Sequence, residues 1–146
     1  MAAAMGLAAC GTAAAPSGET GSPADPDPTS RIDVATTDAI LGEAFEERAE
    51  HLQVLGAGTV IRVLEDDEDG SRHQRFIVRL SSGQTLLIAH NVDLARRVRG
   101  LRVRDRVSFF GEYEWNGEGG TIHWTHDDPQ GEHVAGWLYH RGRVYQ

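Results

Sequence analysis

A mainly β domain, folded as a small barrel of five strands, is what this sequence predicts, and three features predict it. Five segments alternate apolar with polar residues or run β-branched, and turn residues close each of them. The chain has 146 residues at 40% hydrophobic content, enough for one core and not for two. Its first third is of another kind altogether, so the barrel must come from the rest.

Ile40, Leu41, Ala44, Phe45 and Leu52 recur at helical spacing opposite Glu43, Glu46, Glu47 and Glu50. That spacing predicts a flanking amphipathic helix within residues 37–52, capped by Thr37 or Asp38. Strand one is expected over 55–64, where Gly56 and Gly58 signal a bulge or a sharp coil. An acidic turn at 65–71 leads to strand two, His73 to Leu80, and Ser81-Ser82-Gly83 turns the chain into strand three, Gln84 to His90. Residues 92–98 read as a short helix capped by Asn91 or Asp93. Strand four is expected from about Val103 to Trp115, and Asn116-Gly117-Glu118-Gly119 makes a hairpin into strand five, Gly120 to about Thr125. Three strands, a short helix and two strands is the order of the five-stranded oligonucleotide/oligosaccharide-binding barrel. An open antiparallel sheet is the other topology that fits.

The predicted organisation is a truncated lipoprotein-type signal over 1–10, a disordered tether over 11–36, the flanking helix over 37–52, and an OB-like domain with a C-terminal extension over 53–146. Leu7-Ala8-Ala9-Cys10 resembles the lipobox of bacterial lipoproteins. The resemblance implies cleavage before Cys10 and lipidation of its thiol. It places the chain at the cell envelope, on the periplasmic face of the outer membrane in a two-membrane bacterium. Residues 11–36 are rich in Ala, Gly, Pro, Ser, Thr and Asp and cannot bury enough apolar surface to fold. With one cysteine the chain has no internal disulfide and no paired-cysteine zinc site.

Ser-Arg-His-Gln-Arg-Phe at 71–76, Leu-Ile-Ala-His-Asn at 87–91, Gly-Glu-Tyr-Glu-Trp-Asn at 111–116 and Ile-His-Trp-Thr-His at 122–126 carry a second resemblance. They resemble an uncharacterised bacterial family, domain of unknown function 3465. The resemblance implies a domain of this kind and brings no activity with it.

The net charge of −8 is unevenly spread. Residues 1–50 hold two arginines against nine acids, whereas residues 72–106 hold nine arginines against Asp93 and Asp105. The chain has no lysine. The arginine block motivates the leading functional expectation, a binding module for an anionic or polar envelope ligand over strands two and three. Its expected contacts are His73, Arg75, Arg79 and His90. Pairing of the later arginines with the acidic turns is the competing explanation of the block. Nucleic acid becomes a candidate ligand only if the chain is cytoplasmic.

The hairpin register predicts the remaining candidates. With a four-residue turn at 116–119, Glu112 faces His123, a pair suited to acid–base chemistry, although a structural ion pair is the commoner use of such an arrangement. His126, Asp128 and His133 could ligate a divalent metal, the one cofactor the residues suggest; with Glu112 and His123 they make a metal-assisted hydrolase the alternative function. Turn chemistry explains Asp128 as well. An envelope-assembly surface built on Trp115, Trp137, Tyr139 and Tyr145 is the second alternative. No Gly-x-Ser-x-Gly, phosphate loop or HExxH motif occurs, so binding ranks ahead of catalysis.

Overall fold

The computed structural model describes residues 28–146; Cys10, the signal-like segment and residues 11–27 of the tether lie outside them. Residues 28–36, assigned from composition to the tether, are folded. Pro28–Arg31 makes a 3₁₀ turn, and helix α1 spans Val34–Glu46. The helix begins earlier than its apolar spacing suggests because Asp33 is the cap, its carboxylate accepting from the Ala35 and Thr36 N–H groups at 3.2 and 3.5 Å. Asp38 is instead buried, and it accepts the Ser82 N–H at 2.9 Å and the Ser81 hydroxyl. The helix also stops early. Trp115 donates its indole N–H to the Phe45 carbonyl at 3.1 Å, Arg48 turns left-handed at φ 53°, and its guanidinium lies 5.0 Å over the Trp115 ring.

The strands are β1 (Leu52–Val63), β2 (His73–Arg79), β3 (Thr85–Asn91), β4 (Arg106–Glu114), β5 (Thr121–His123), β6 (Trp137–His140) and β7 (Arg143–Tyr145). β1 pairs antiparallel with β2 at one end and with β4 along the other, β3 runs parallel to β5, and β4 closes onto β5. The result is the expected closed five-stranded barrel. The long β1 serves both neighbours by coiling. A register shift between Val60 and Arg62 gives the bulge, and a Cβ on Gly56 would sit 2.5 Å from the Phe109 ring. Val60, Phe76, Val78, Leu86, Ile88, Val107, Phe109, Tyr113 and Ile122 fill the interior.

Two parts differ from expectation. Residues 92–98 form one turn, closed by Ala95 N–H to the Asn91 carbonyl at 3.1 Å, and not a helix. Asn91 does cap that turn, accepting from Asp93 and Leu94 N–H. The turn cannot propagate because Gln74 takes both backbone groups of Val98. The C-terminal extension supplies β6 and β7. β6 pairs with Ser108–Phe110 on the same edge of β4 whose far end, Glu112–Glu114, carries β5.

Candidate functional site

Alternation along β2 sends Gln74, Phe76 and Val78 inward and His73, Arg75, Ile77 and Arg79 outward. On β3 their partners are Asn91, Ala89, Leu87 and Thr85. This outer face holds two recesses. One, of about 470 Å³, has Ile61, Leu64, Ile77 and Leu87 among its lining, with Arg75, Asn116 and Glu118 as polar members. The other, of about 320 Å³, is a cleft lined by Ser71, His73, Asn91, Leu94, His123, Trp124 and His126.

The cleft gathers three imidazoles, one from β2 and two from the end of β5 and the turn after it. Strand β5 ends at His123, and Trp124 then turns left-handed at φ 50°, which returns His126 to the cleft that His123 already lines. His73 Nδ1 lies 2.7 Å from the Ser71 carbonyl, and His126 Nδ1 lies 2.7 Å from the Asp127 carbonyl. A carbonyl only accepts, so both Nδ1 atoms carry the proton and each neutral ring keeps its lone pair on Nε2. Burial holds His123 below the ordinary imidazole range, against the pull of Glu114 and Glu112. Trp124 stacks on His133 with ring centroids 3.7 Å apart and lies 5.4 Å from His126.

His90 has a different place. Fully buried, it faces inward opposite Gln74, with Nδ1 2.8 Å from the Thr125 hydroxyl and Nε2 3.1 Å from the Arg96 carbonyl. The Arg96 carbonyl requires the proton on Nε2, and Nδ1 accepts from Thr125. Burial pushes its pKa down to about 4. It is a core histidine out of reach of any ligand on the face. Arg79 is exposed at the end of β2, and Arg75 donates to the Glu65 carbonyl at 3.1 Å and approaches Asp67 at 3.7 Å.

Glu112 does pair with His123 in the β4–β5 register. Its carboxylate makes its closer contacts elsewhere, 3.1 Å to His51 Nδ1 and 3.9 Å to His133 Nδ1. His51 also meets Glu114 at 2.8 Å, and the hydrogen bond to Glu112 followed by the charge of Glu114 raises its pKa. Of the expected metal ligands, Asp128 accepts backbone N–H groups from Gln130, Glu132 and His133 at 2.7 to 2.9 Å, which is turn chemistry. Those bonds hold its carboxyl below the usual range. Among the described residues one group, Glu50, His51 and Glu114, brings three ligand atoms within 4.8 Å of one another, and it lies largely exposed. Sequence reasoning overlooked His51, which sits just outside a strand and whose left-handed φ of 56° turns the chain there.

The arginines divide. Arg72 pairs with Asp93, Arg75 with Asp67 and Arg97 with Asp66, so the acidic turn neutralises part of the block. Three of the four residues of the expected aromatic patch pack within the domain: Trp115 stacks on Phe45, Trp137 lies 6.2 Å from Phe110, and Tyr145 rests against the core.

No curated protein matches this chain. A family model described as a protein of unknown function, DUF3465, matches residues 28–146, the same residues that form the turn, helix and strands above. By that match over most of its length, the chain belongs to the DUF3465 family.

Proposed function

We propose that this domain is a lipid-anchored module of the cell envelope that binds an extended polar ligand, anionic in part, along the outer face of β2 and β3. The observation that carries this reading is the pair of recesses in line on that face. The larger lies beside Ile77 and Leu87, the histidine cleft beside His73 and Asn91, and the Arg75–Ala89 row separates them. An aliphatic floor suits the apolar face of a sugar ring, and Arg75 with the imidazoles supplies hydrogen bonds and charge. Barrels of this architecture use strands two and three for oligosaccharides and oligonucleotides. A lipid on Cys10 favours the former.

The test uses the whole chain carrying Cys10→Ser, titrated with a heparin-derived tetrasaccharide and followed by NMR. Amide shifts should concentrate in β2 and β3, and Arg75→Ala should weaken binding about tenfold, the value of one charge-assisted hydrogen bond. Shifts elsewhere, or unchanged affinity in both Arg75→Ala and His73→Ala, would overturn it. Fractionation of cells expressing the gene with its upstream region tests the anchor against Cys10→Ser. A parent protein soluble in the cytoplasm would remove the envelope and restore nucleic acid as ligand.

A metal-assisted hydrolase is the second reading, and the tautomers of His73 and His126 favour it. An Nδ1 proton held by a backbone carbonyl is the usual support for a metal-ligating imidazole. Elemental analysis of protein purified without an affinity tag decides. Absence of stoichiometric zinc, manganese and iron eliminates this reading and leaves the first intact.

A further inference from the structure

The arginines that find no acid lead to a second site, a pocket that shares no lining residue with the two recesses of the β2–β3 face. A pocket of about 500 Å³ lies where the turn after β3 meets β7, lined by Arg96, Arg97, Arg99 and Arg143 with Tyr145 and three small aliphatic residues. No aspartate or glutamate lines it. Arg97 reaches Asp66, while among the described residues Arg96, Arg99 and Arg143 make no ion pair. The nearby carboxylates are committed elsewhere: Asp93 to Arg72, and Asp105 to His140 at 2.9 Å and Arg141 at 2.8 Å. In a chain of net charge −8, clustered cations left unneutralised beside a recess are not explained by surface balancing.

The barrel also holds these arginines in position. His90 donates to the Arg96 carbonyl, and Gln74 clamps Val98, the residue between Arg97 and Arg99, from inside the barrel. Arg143 comes from the opposite wall, fixed by the β6–β7 hairpin whose two turn residues, Arg141 and Gly142, are both left-handed at φ 49° and 77°. Two buried polar side chains and a tight hairpin thus fix the backbone carrying the four guanidinium groups. Guanidinium forks match phosphate oxygens in pairs, and positions fixed before binding lower the entropic cost of capture.

We infer that this pocket binds a phosphate-bearing small molecule, held by Arg96, Arg99 and Arg143 with its remaining part against Tyr145 and Val144. The phosphate could belong to a free phosphorylated compound or to a lipid headgroup, and two arms of one experiment separate these sources. The whole chain carrying Cys10→Ser is titrated with inorganic pyrophosphate by calorimetry, and separately sedimented with phosphatidylcholine vesicles with and without phosphatidic acid. Saturable pyrophosphate binding, or retention only on phosphatidic acid vesicles, is the expected result. Arg96→Gln and Arg143→Gln should each weaken it about tenfold, as expected for a lost charge-assisted bond. Arg102→Gln and Arg104→Gln, exposed arginines that line neither this pocket nor the β2–β3 face, serve as controls and should leave it unchanged. Equal losses in the pocket and control variants would mean diffuse charge attraction and would overturn the site, as would no binding in either arm. This outcome is separate from the tetrasaccharide test, whose variants, Arg75→Ala and His73→Ala, line the two recesses and not this pocket.

Discussion

Gln74 holds Val98 by both backbone groups: its Oε1 accepts the Val98 N–H at 2.8 Å and its Nε2 donates to the Val98 carbonyl at 3.0 Å. Both residues are buried, so a side chain takes the place of a neighbouring strand for one residue of an otherwise irregular segment. Gln74→Ala would strand two buried backbone groups. We expect a loss of about 2 to 4 kcal/mol in urea unfolding, with rapid exchange of the Val98 amide. Pyrophosphate affinity should fall too, although no arginine has been touched. Unchanged stability would mean that water replaces the side chain.

His90 should make stability depend on pH. Its folded pKa of about 4 lies below the unfolded value of 6.5, so only the unfolded chain takes up the proton as pH falls between them. Its contribution is intact above pH 6.5 and is lost as pH drops toward 4. The loss amounts to about 2 to 3 kcal/mol by pH 4.5. His51 works the other way, since its raised pKa adds stability below 6.5 that disappears as pH rises through the folded value. That part is common to the parent and His90→Gln and cancels between them. The parent should therefore lose more stability than the variant from pH 7 to 4.5, and parallel curves would refute the assignment.

The positions that were legible in the sequence are those where local periodicity decides. Asn116 and Gly117 set the β4–β5 turn, and period two then forces Glu112 onto His123, Tyr113 onto Ile122 and Glu114 onto Thr121, as found. His90 was misread by one step of the same rule. His73 and Arg75 pair with Asn91 and Ala89, so the residue between those two points inward. The turn at 92–98 was not readable as such, because what stops it is Gln74, 24 residues away in sequence. β6 and β7 have only four and three residues, too few for a period to emerge, and they exist because β4 offers them an edge. The histidine cleft depends on the left-handed Trp124, a backbone state that its side chain does not advertise.

Two glycines should respond oppositely to alanine. Gly42 lies inside α1 with open space where a Cβ would stand, so Gly42→Ala should add about 0.5 to 1 kcal/mol by helix propensity. A Cβ on Gly136 would instead overlap the backbone oxygens of Trp124 and Phe110, and neither can yield without breaking the junction between β5 and β6. Gly136→Ala should cost more than about 3 kcal/mol or leave the chain unfolded. Thermal unfolding of the pair checks both signs, and equal small effects would show that the junction is slack.

Asp128 tests whether the 127–135 loop belongs to chemistry or to architecture. Its carboxylate accepts three backbone N–H groups, one of them from His133, and so positions the imidazole that stacks on Trp124. Asp128→Ala should free the Gln130, Glu132 and His133 amides to exchange and make the loop easier to cleave. It should also change Trp124 fluorescence as His133 leaves the ring. Because Asp128 has its lone pairs turned to the backbone, the same variant should leave zinc affinity unaltered, whereas His73→Gln and His126→Gln should lower any that the chain possesses. A drop in zinc affinity with Asp128→Ala, the amides still protected, would identify the carboxylate as a ligand and return the metal centre to His126, Asp128 and His133.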